Sequence, residues 1–381
     1  MKIILWAPFG AGTHYWGPGT SAYRLYRLNK NPDIKVTLVH GTDRQGDFPD
    51  VYDEQVQLGN LEGAGIFKKL MFLISSFLWI VKNHKKYDIL HGLGPFWDTF
   101  FPALLFTQLG GKSFIKITGQ TAGFSNNSRL SRLTGISYLR RKNATKITGY
   151  LSLSKQITSL LQKAGIQHET IHKIPNGVDI QRFYPISRPD KLIIRTDLNI
   201  KNVYTFMYCG GLTYGKRIVE TIQAAHHLIV NDVRDFQLLV VGPDRSKQNL
   251  QAKLEEYIKD NNLQDHVILV GSTNTPELYF QASDAFILAS KSEGMSNSLL
   301  EAMACGLPSI VTKISGSEDL IDEGVHGLFT SGEPEDIARC MLTLYSDVNA
   351  HNMGAKAKEK IDREYAAEVI WTKHLKLFKN Q

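Results

Sequence analysis

The feature that most constrains this chain is a strand–helix alternation that runs once, breaks, and starts again. Apolar runs at 3–7, 35–40, 88–93, 113–118, 146–152 and 170–174 alternate with helix-like stretches at 21–28, 66–81, 97–109, 129–142 and 155–164. The segment Phe183-Tyr-Pro-Ile-Ser-Arg-Pro189 interrupts the pattern and reads as a linker. Strands are then expected at 204–208, 236–241, 267–270, 285–289 and 308–312, with helices near 218–230, 250–261 and 297–304, and helical stretches from Pro334 onward. Repeated βα units imply parallel sheets covered on both faces. Two doubly wound α/β domains are therefore expected. Ligands of such folds bind beyond the carboxyl ends of the strands, here in a cleft between the domains.

The 381 residues suit two such domains. Hydrophobic residues make up 43% and charged residues 21%, which excludes a disordered chain. Three scattered cysteines, Cys209, Cys305 and Cys340, form neither a disulfide framework nor a zinc pattern, so a reduced, cytoplasmic setting is expected. The apolar N-terminus reads as a buried first strand rather than a signal peptide. The longest apolar run, 70–81, is shorter than the roughly 20 residues that span a bilayer.

Charge divides the chain. Residues 1–185 hold 23 Lys and Arg against 11 Asp and Glu, a balance of +12, whereas the remainder holds 21 against 26, a balance of −5. No acid occurs from Thr99 to His168. Such a field suits a polyanion, an anionic lipid surface or a phosphorylated substrate, or serves only as a solvated basic face. Arg140, Arg141 and Lys142 would be part of that surface. Lysines 68, 69, 82, 85 and 86 bracket the helix expected at 66–81. That helix suits a membrane surface, but a core position with solvated ends is the favoured expectation.

Two segments have the residue types that hold a phosphorylated, polyhydroxylated ligand. Gly10-Ala-Gly-Thr-His-Tyr15 lacks the third glycine of a dinucleotide fingerprint, and no acid ends the next strand. Gly17 and Gly19, just before the first helix, could instead bring backbone N–H groups to a phosphate, or form a plain turn. In Ser283–Pro308 a buried strand leads through a loop to a helix capped by Ser296 or Asn297. Glu293 precedes this helix start and Glu301 lies about one turn inside it. Carboxylates grip hydroxyls, and the helix start, with the N–H groups from Met295 to Ser298, favours negative charge.

Glu293-Gly294 with Glu301-Ala-Met-Ala-Cys-Gly-Leu-Pro308 resembles the E-x7-E signature of the family-four retaining glycosyltransferases, within glycosyl transferases group 1. Ile174-Pro-Asn-Gly-Val-Asp179, Tyr208-Cys-Gly-Gly-Leu212 with Lys216, Val241-Gly242, Gly271, Ser283-Asp284 and Glu318 to Gly327 match that family's segments in order. The resemblance implies a GT-B architecture, two Rossmann-like domains facing across a cleft. It places an acceptor domain at 1–184, a nucleotide-sugar domain at 185–363, and a last helix, 364–381, on the first domain.

The resemblance also implies roles. Glu301 would hold the ribose of a nucleotide-sugar, Glu293 and the Met295, Ser296 and Asn297 amides the transferred sugar, and Lys216 the departing diphosphate. No DxD motif is present, which implies protein cations in place of a metal. The family's usual Arg is replaced by Gly211, and Arg217 is the expected substitute. Its usual His after the strand at 113–118 is replaced in Thr118-Gly-Gln-Thr121, so Thr118 or Gln120 would serve the acceptor side. Apart from the resemblance, His91 at a strand end is a further acceptor-side candidate, with a packed, hydrogen-bonded core position the favoured expectation.

The expected activity is thus transfer of a hexose from a UDP- or GDP-sugar to a glycan or lipid-linked acceptor, in polysaccharide or glycolipid synthesis. The site would be cytoplasmic, at the inner face of the membrane, with no cofactor or nucleic acid involved. A GT-B sugar-nucleotide epimerase and a non-catalytic glycan- or nucleotide-binding module are the alternatives.

Overall fold

The computed structural model describes residues 1–12, 17–42, 51–61, 65–119, 135–246, 248–347 and 349–380. They form two units, Met1–Gly177 with Ala367–Gln381, and Val178–Ala366.

The first unit holds β1 (Lys2–Trp6), β2 (Lys35–His40), β3 (Glu54–Gln57), β4 (Ile89–Leu93), β5 (Lys112–Ile117), β6 (Gly149–Ser152) and β7 (Ile171–Lys173). They form one parallel sheet in the order β3-β2-β1-β4-β5-β6-β7. Its central strands are buried on both faces, which is why they read as unbroken apolar runs. β3 escaped the sequence reading because Glu-Gln-Val-Gln is a polar, mostly exposed edge strand.

Around this sheet lie α1 (Gly17–Tyr26), α2 (Ile66–Asn83) and α3 (Trp97–Gln108), with shorter helices at Ile136–Asn143 and Lys155–Lys163. Residues 129–134 of the helix expected at 129–142 lie outside the described residues. Arg140 is not a surface residue: it is buried, its guanidinium donates to the Pro95 carbonyl, and it lies 5.9 Å from the Phe100 ring centre. Arg141 and Lys142 are exposed. The last helix, Ala367–Lys379, packs against this sheet and α1 through Trp371 on Tyr26, His374 on His91 and Phe378 on Phe114, with ring centres 5.4 to 5.6 Å apart. A side chain at Gly177 would come within 2.8 Å of the Ala367 Cα, so glycine is required where that helix passes.

The second unit holds β8 (Tyr204–Cys209), β9 (Phe236–Val241), β10 (Val267–Gly271), β11 (Ala285–Leu288), β12 (Ser309–Thr312) and β13 (Gly327–Thr330). They too form a parallel sheet, in the order β10-β9-β8-β11-β12-β13. The segment read as a linker leads straight into a helix, Arg188–Asp197, whose Ser187 cap accepts the Asp190 N–H. Lys191 and Arg195 of that helix bond Asp284 at 3.0 and 2.6 Å, and Asp284 also accepts the Thr205 N–H. This accounts for an acid just before β11. In each sheet the strand order reverses between two adjacent strands, β1 and β4 in one and β8 and β11 in the other. Such a reversal opens a crevice at the carboxyl ends of those strands.

Candidate functional site

The carboxyl ends of β8 and β11 carry the residues that the sequence singles out. After β8 the chain runs through Gly210, Gly211 and Leu212 to a short 3-10 turn, Tyr214–Lys216. After β11 it runs through Lys291 and Glu293 to the helix Asn297–Ala304. Backbone hydrogen bonds join these loops to each other and to those of β9 and β10. Lys291 N–H donates to the Gly215 carbonyl at 2.8 Å, Leu212 N–H to Pro243 at 2.9 Å, and Gly242 N–H to Gly271 at 2.7 Å. Gly242 has φ 138°, and a side chain there would strike the Gly210 carbonyl. The glycines thus let the ends of β8 and β9 close together.

On this frame Lys216 Nζ pairs with Glu293 Oε1. The Lys216 side chain is 31% exposed and that of Glu293 13%. The next helix is capped by Ser296, whose hydroxyl accepts the Leu299 N–H at 3.3 Å. Met295 is buried, and Gly316 (φ 83°) lies so close behind that a Cβ there would be 2.8 Å from the Met295 Cα. Glu301 is buried one turn inside the helix. Burial raises the pKa of Tyr208, and its hydroxyl donates to the Gly211 carbonyl at 3.0 Å. Burial raises that of Cys305 as well, with the Glu301 charge acting in the same direction.

Arg217 has partners of its own. It takes φ 52° at the start of the helix Ile218–Val230, and its guanidinium donates to the Ser331 carbonyl at 2.9 Å and lies 3.6 Å from Glu333. The arginine beside Gly211 is Arg245, in the loop after β9. A Cβ at position 211 would come within 2.8 Å of the Arg245 Cδ. Arg245 is exposed and forms no ion pair or side-chain hydrogen bond among the described residues. Sequence reading missed it because only the pairing of β8 with β9 brings positions 211 and 245 together.

The first unit holds the remaining candidates. Gly17 and Gly19 belong to α1 itself rather than to the loop before it, with Gly17 exposed and Gly19 buried. Thr118 follows β5 and is half-buried, while Gln120 lies outside the described residues. His91 is a core residue and leaves the acceptor-side set. It lies in the middle of β4, fully buried, with Nδ1 2.8 Å from the Tyr26 hydroxyl. Its proximity to a loop in sequence concealed the helix Ala367–Lys379 that covers it. Among the described residues no group of three or more His, Cys, Asp or Glu is placed to hold a metal ion.

Residues 190–360 match the family Glycosyl transferases group 1. This segment is a group 1 glycosyl transferase domain. It contains Gly211, Lys216, Arg217, Arg245, Glu293 and Glu301. The chain is 24% identical over 343 residues to the Escherichia coli UDP-Gal:alpha-D-GlcNAc-diphosphoundecaprenol alpha-1,3-galactosyltransferase, covering 88% of this chain and 86% of that one. It is 23% identical over 249 residues to a Corynebacterium glutamicum GDP-mannose-dependent monoacylated alpha-(1-6)-phosphatidylinositol monomannoside mannosyltransferase, covering 63% of this chain and 64% of that one. Two other relatives align over about half of this chain and less than half of their own length. The fold is that of Anabaena HepE in complex with UDP, with TM-score 0.82, 17% identity and 100% of both chains covered. The group 1 domain therefore lies in a GT-B chain, and its reversal point, β8 against β11, carries the Lys216–Glu293 pair.

Proposed function

We propose that this chain is a retaining hexosyltransferase that draws on a UDP- or GDP-sugar and works without a metal. The observation that carries the reading is the Lys216–Glu293 pair at the switch point of the second sheet, beside a capped helix start. In the ligand-free protein the lysine and the carboxylate satisfy one another. A donor diphosphate would compete for Lys216 and release Glu293 to the sugar hydroxyls. When the bond from the anomeric carbon to the diphosphate breaks, its electron pair leaves on a phosphate oxygen. A fixed cation there stabilises the transition state more than the ground state. Arg245, seated over Gly211, is the second cation of this cradle, and Glu301 holds the ribose. Gly17 and Gly19 would present the start of α1 to the donor, with Thr118 and Gln120 on the acceptor side.

The acceptor is a glycan or a lipid-linked glycan met at the cytoplasmic face of an anionic membrane. The E. coli relative is named for a diphosphoundecaprenol-linked substrate and the C. glutamicum one for a phosphatidylinositol mannoside, and the basic first half of this chain suits such anionic acceptors. Calorimetry with UDP and GDP tests the donor half. Glu301→Ala should weaken binding by about 1.5–3 kcal/mol, the worth of a charge-assisted hydrogen bond. Affinity equal to that of the wild type would remove Glu301 from the site.

A further inference from the structure

Helix α2 bears two apolar faces. Phe72, Ser76, Ile80 and Asn83 are buried against the first unit. On the opposite side Phe67, Leu70, Met71, Ile74, Leu78 and Val81 form one stripe, each residue between 43% (Ile74) and 75% (Phe67) exposed. Their spacing of three and four residues keeps them on one face for about 21 Å. A core helix with solvated ends, the favoured expectation from sequence, would not leave this row in water. Single exposed apolar residues are ordinary, but a continuous row marks a contact surface.

Lys68 and Lys69 stand at one end of the stripe and Lys82, Lys85 and Lys86 at the other, and no acid occurs from 66 to 87. That charge pattern decides the occupant. A second copy laid on the stripe in either direction would bring lysine against lysine with no acid to offset them. An anionic bilayer has the complementary charge, and its acyl boundary takes up an apolar row that lies parallel to the surface. Among the described residues no helix is long and apolar enough to cross a membrane. α2 is thus suited to lying on a bilayer rather than passing through it.

We propose that the outer face of α2 is the surface by which this protein docks on an anionic membrane, with the apolar row in the headgroup–acyl boundary and the lysines on the headgroups. The proposal deepens the transferase reading and rests on it only for the purpose of docking, which would bring a lipid-linked acceptor to the enzyme. The test is flotation of the full chain with phosphatidylcholine vesicles, with and without one-third phosphatidylglycerol. The wild type should float with the anionic vesicles, and partition should fall steeply as salt shortens the screening length from about 10 Å at 0.1 M to about 3 Å at 1 M. Leu70→Gln, Ile74→Gln and Leu78→Gln together should lower partition at least about tenfold, because the lost contacts are apolar ones to lipid. These positions are exposed, and an unchanged Tm would show that the variant folds. Failure of the wild type to float at low salt, equal partition of the triple variant, or equal binding to uncharged vesicles would each overturn the proposal. So would a dimer that the triple variant dissolves, which would assign the stripe to a second copy. Donor hydrolysis is measured on the same samples and should survive in the variant. Its absence from the wild type would overturn the transferase reading and leave the flotation result standing.

Discussion

Lys216 and Glu293 come from loops 77 residues apart and pair at the switch point of one sheet, so each neutralises the other before any ligand arrives. A largely buried ion pair of this kind is weak evidence for stability, because removing two charges from water offsets much of their attraction. A cation held ready for a leaving group is a better reason for the placement.

Replacing Lys216 with Ala should therefore lower turnover about a hundredfold or more, while nucleotide affinity changes much less. Steady-state kinetics with a saturating donor separates the two. EDTA should leave the wild type active if Lys216 and Arg245 supply the positive charge. Dependence on an added divalent ion would contradict that part of the account.

Arg245 has the opposite expected signature. Arg245→Ala should weaken UDP or GDP binding by about 1.5–3 kcal/mol, with little change in Tm because the side chain is exposed. Gly211→Val should do the same indirectly, since a side chain at 211 would collide with Arg245. Unchanged nucleotide affinity in both variants would leave Lys216 as the account's only donor cation.

The first unit carries a buried basic cluster whose effect on stability runs with pH. His91 and His374 are fully buried, and Nε2 of each lacks a hydrogen-bond partner among the described residues. Burial holds both below the usual histidine range, His374 at about 3, with the Lys116 charge acting in the same direction. The unfolded chain takes up these protons below pH about 6.5 and the folded one does not, so stability falls as pH drops from about 6.5 toward 3, by about 1.4 kcal/mol per pH unit for His374, with His91 acting in the same direction. Denaturation at pH 7, 6 and 5 should show a shallower loss for His374→Leu than for the wild type.

Lys116 lies 1% exposed in β5, with burial pulling its pKa down to about 8. The folded state disfavours the charged form, so below pH 8 the whole penalty is present, and stability rises with pH between about 8 and 10.5 as the unfolded chain alone keeps the proton. Lys116→Met should raise stability at pH 7 by up to about 3 kcal/mol. Its advantage should shrink by pH 9.5 in denaturant titrations. A loss of stability at both pH values would show that Lys116 is held by more than its weak 3.5 Å contact with the Ser21 hydroxyl.

Much of this was legible in the sequence. The helices at 218–230 and 297–304 and the strand at 236–241 show in the periodicity because each buries a regular apolar set. Glu293 and Glu301 stand out as carboxylates flanking a helix start, whereas Lys216 was legible only through the family resemblance. β3 did not show because a polar edge strand has no apolar alternation. The packed position favoured for His91 is the observed one, but the element that buries it comes 283 residues later, at His374, so its position at a strand end left an acceptor-side role open. Arg245 was invisible because its relation to Gly211 depends on which strands are neighbours. The outer face of α2 was read as core because apolar periodicity does not say which of two apolar faces is covered.

In the proposed function the second unit activates a nucleotide-sugar for transfer. Its most direct test is nucleotide release from a panel of UDP- and GDP-sugars, with and without a lipid-linked glycan acceptor. A transferase should show slow release from one donor, faster release with acceptor, and loss of both in Lys216→Ala. Interconversion of the sugar without nucleotide release would identify an epimerase, and no turnover of any donor would leave a binding module. Either result would rule out a transferase.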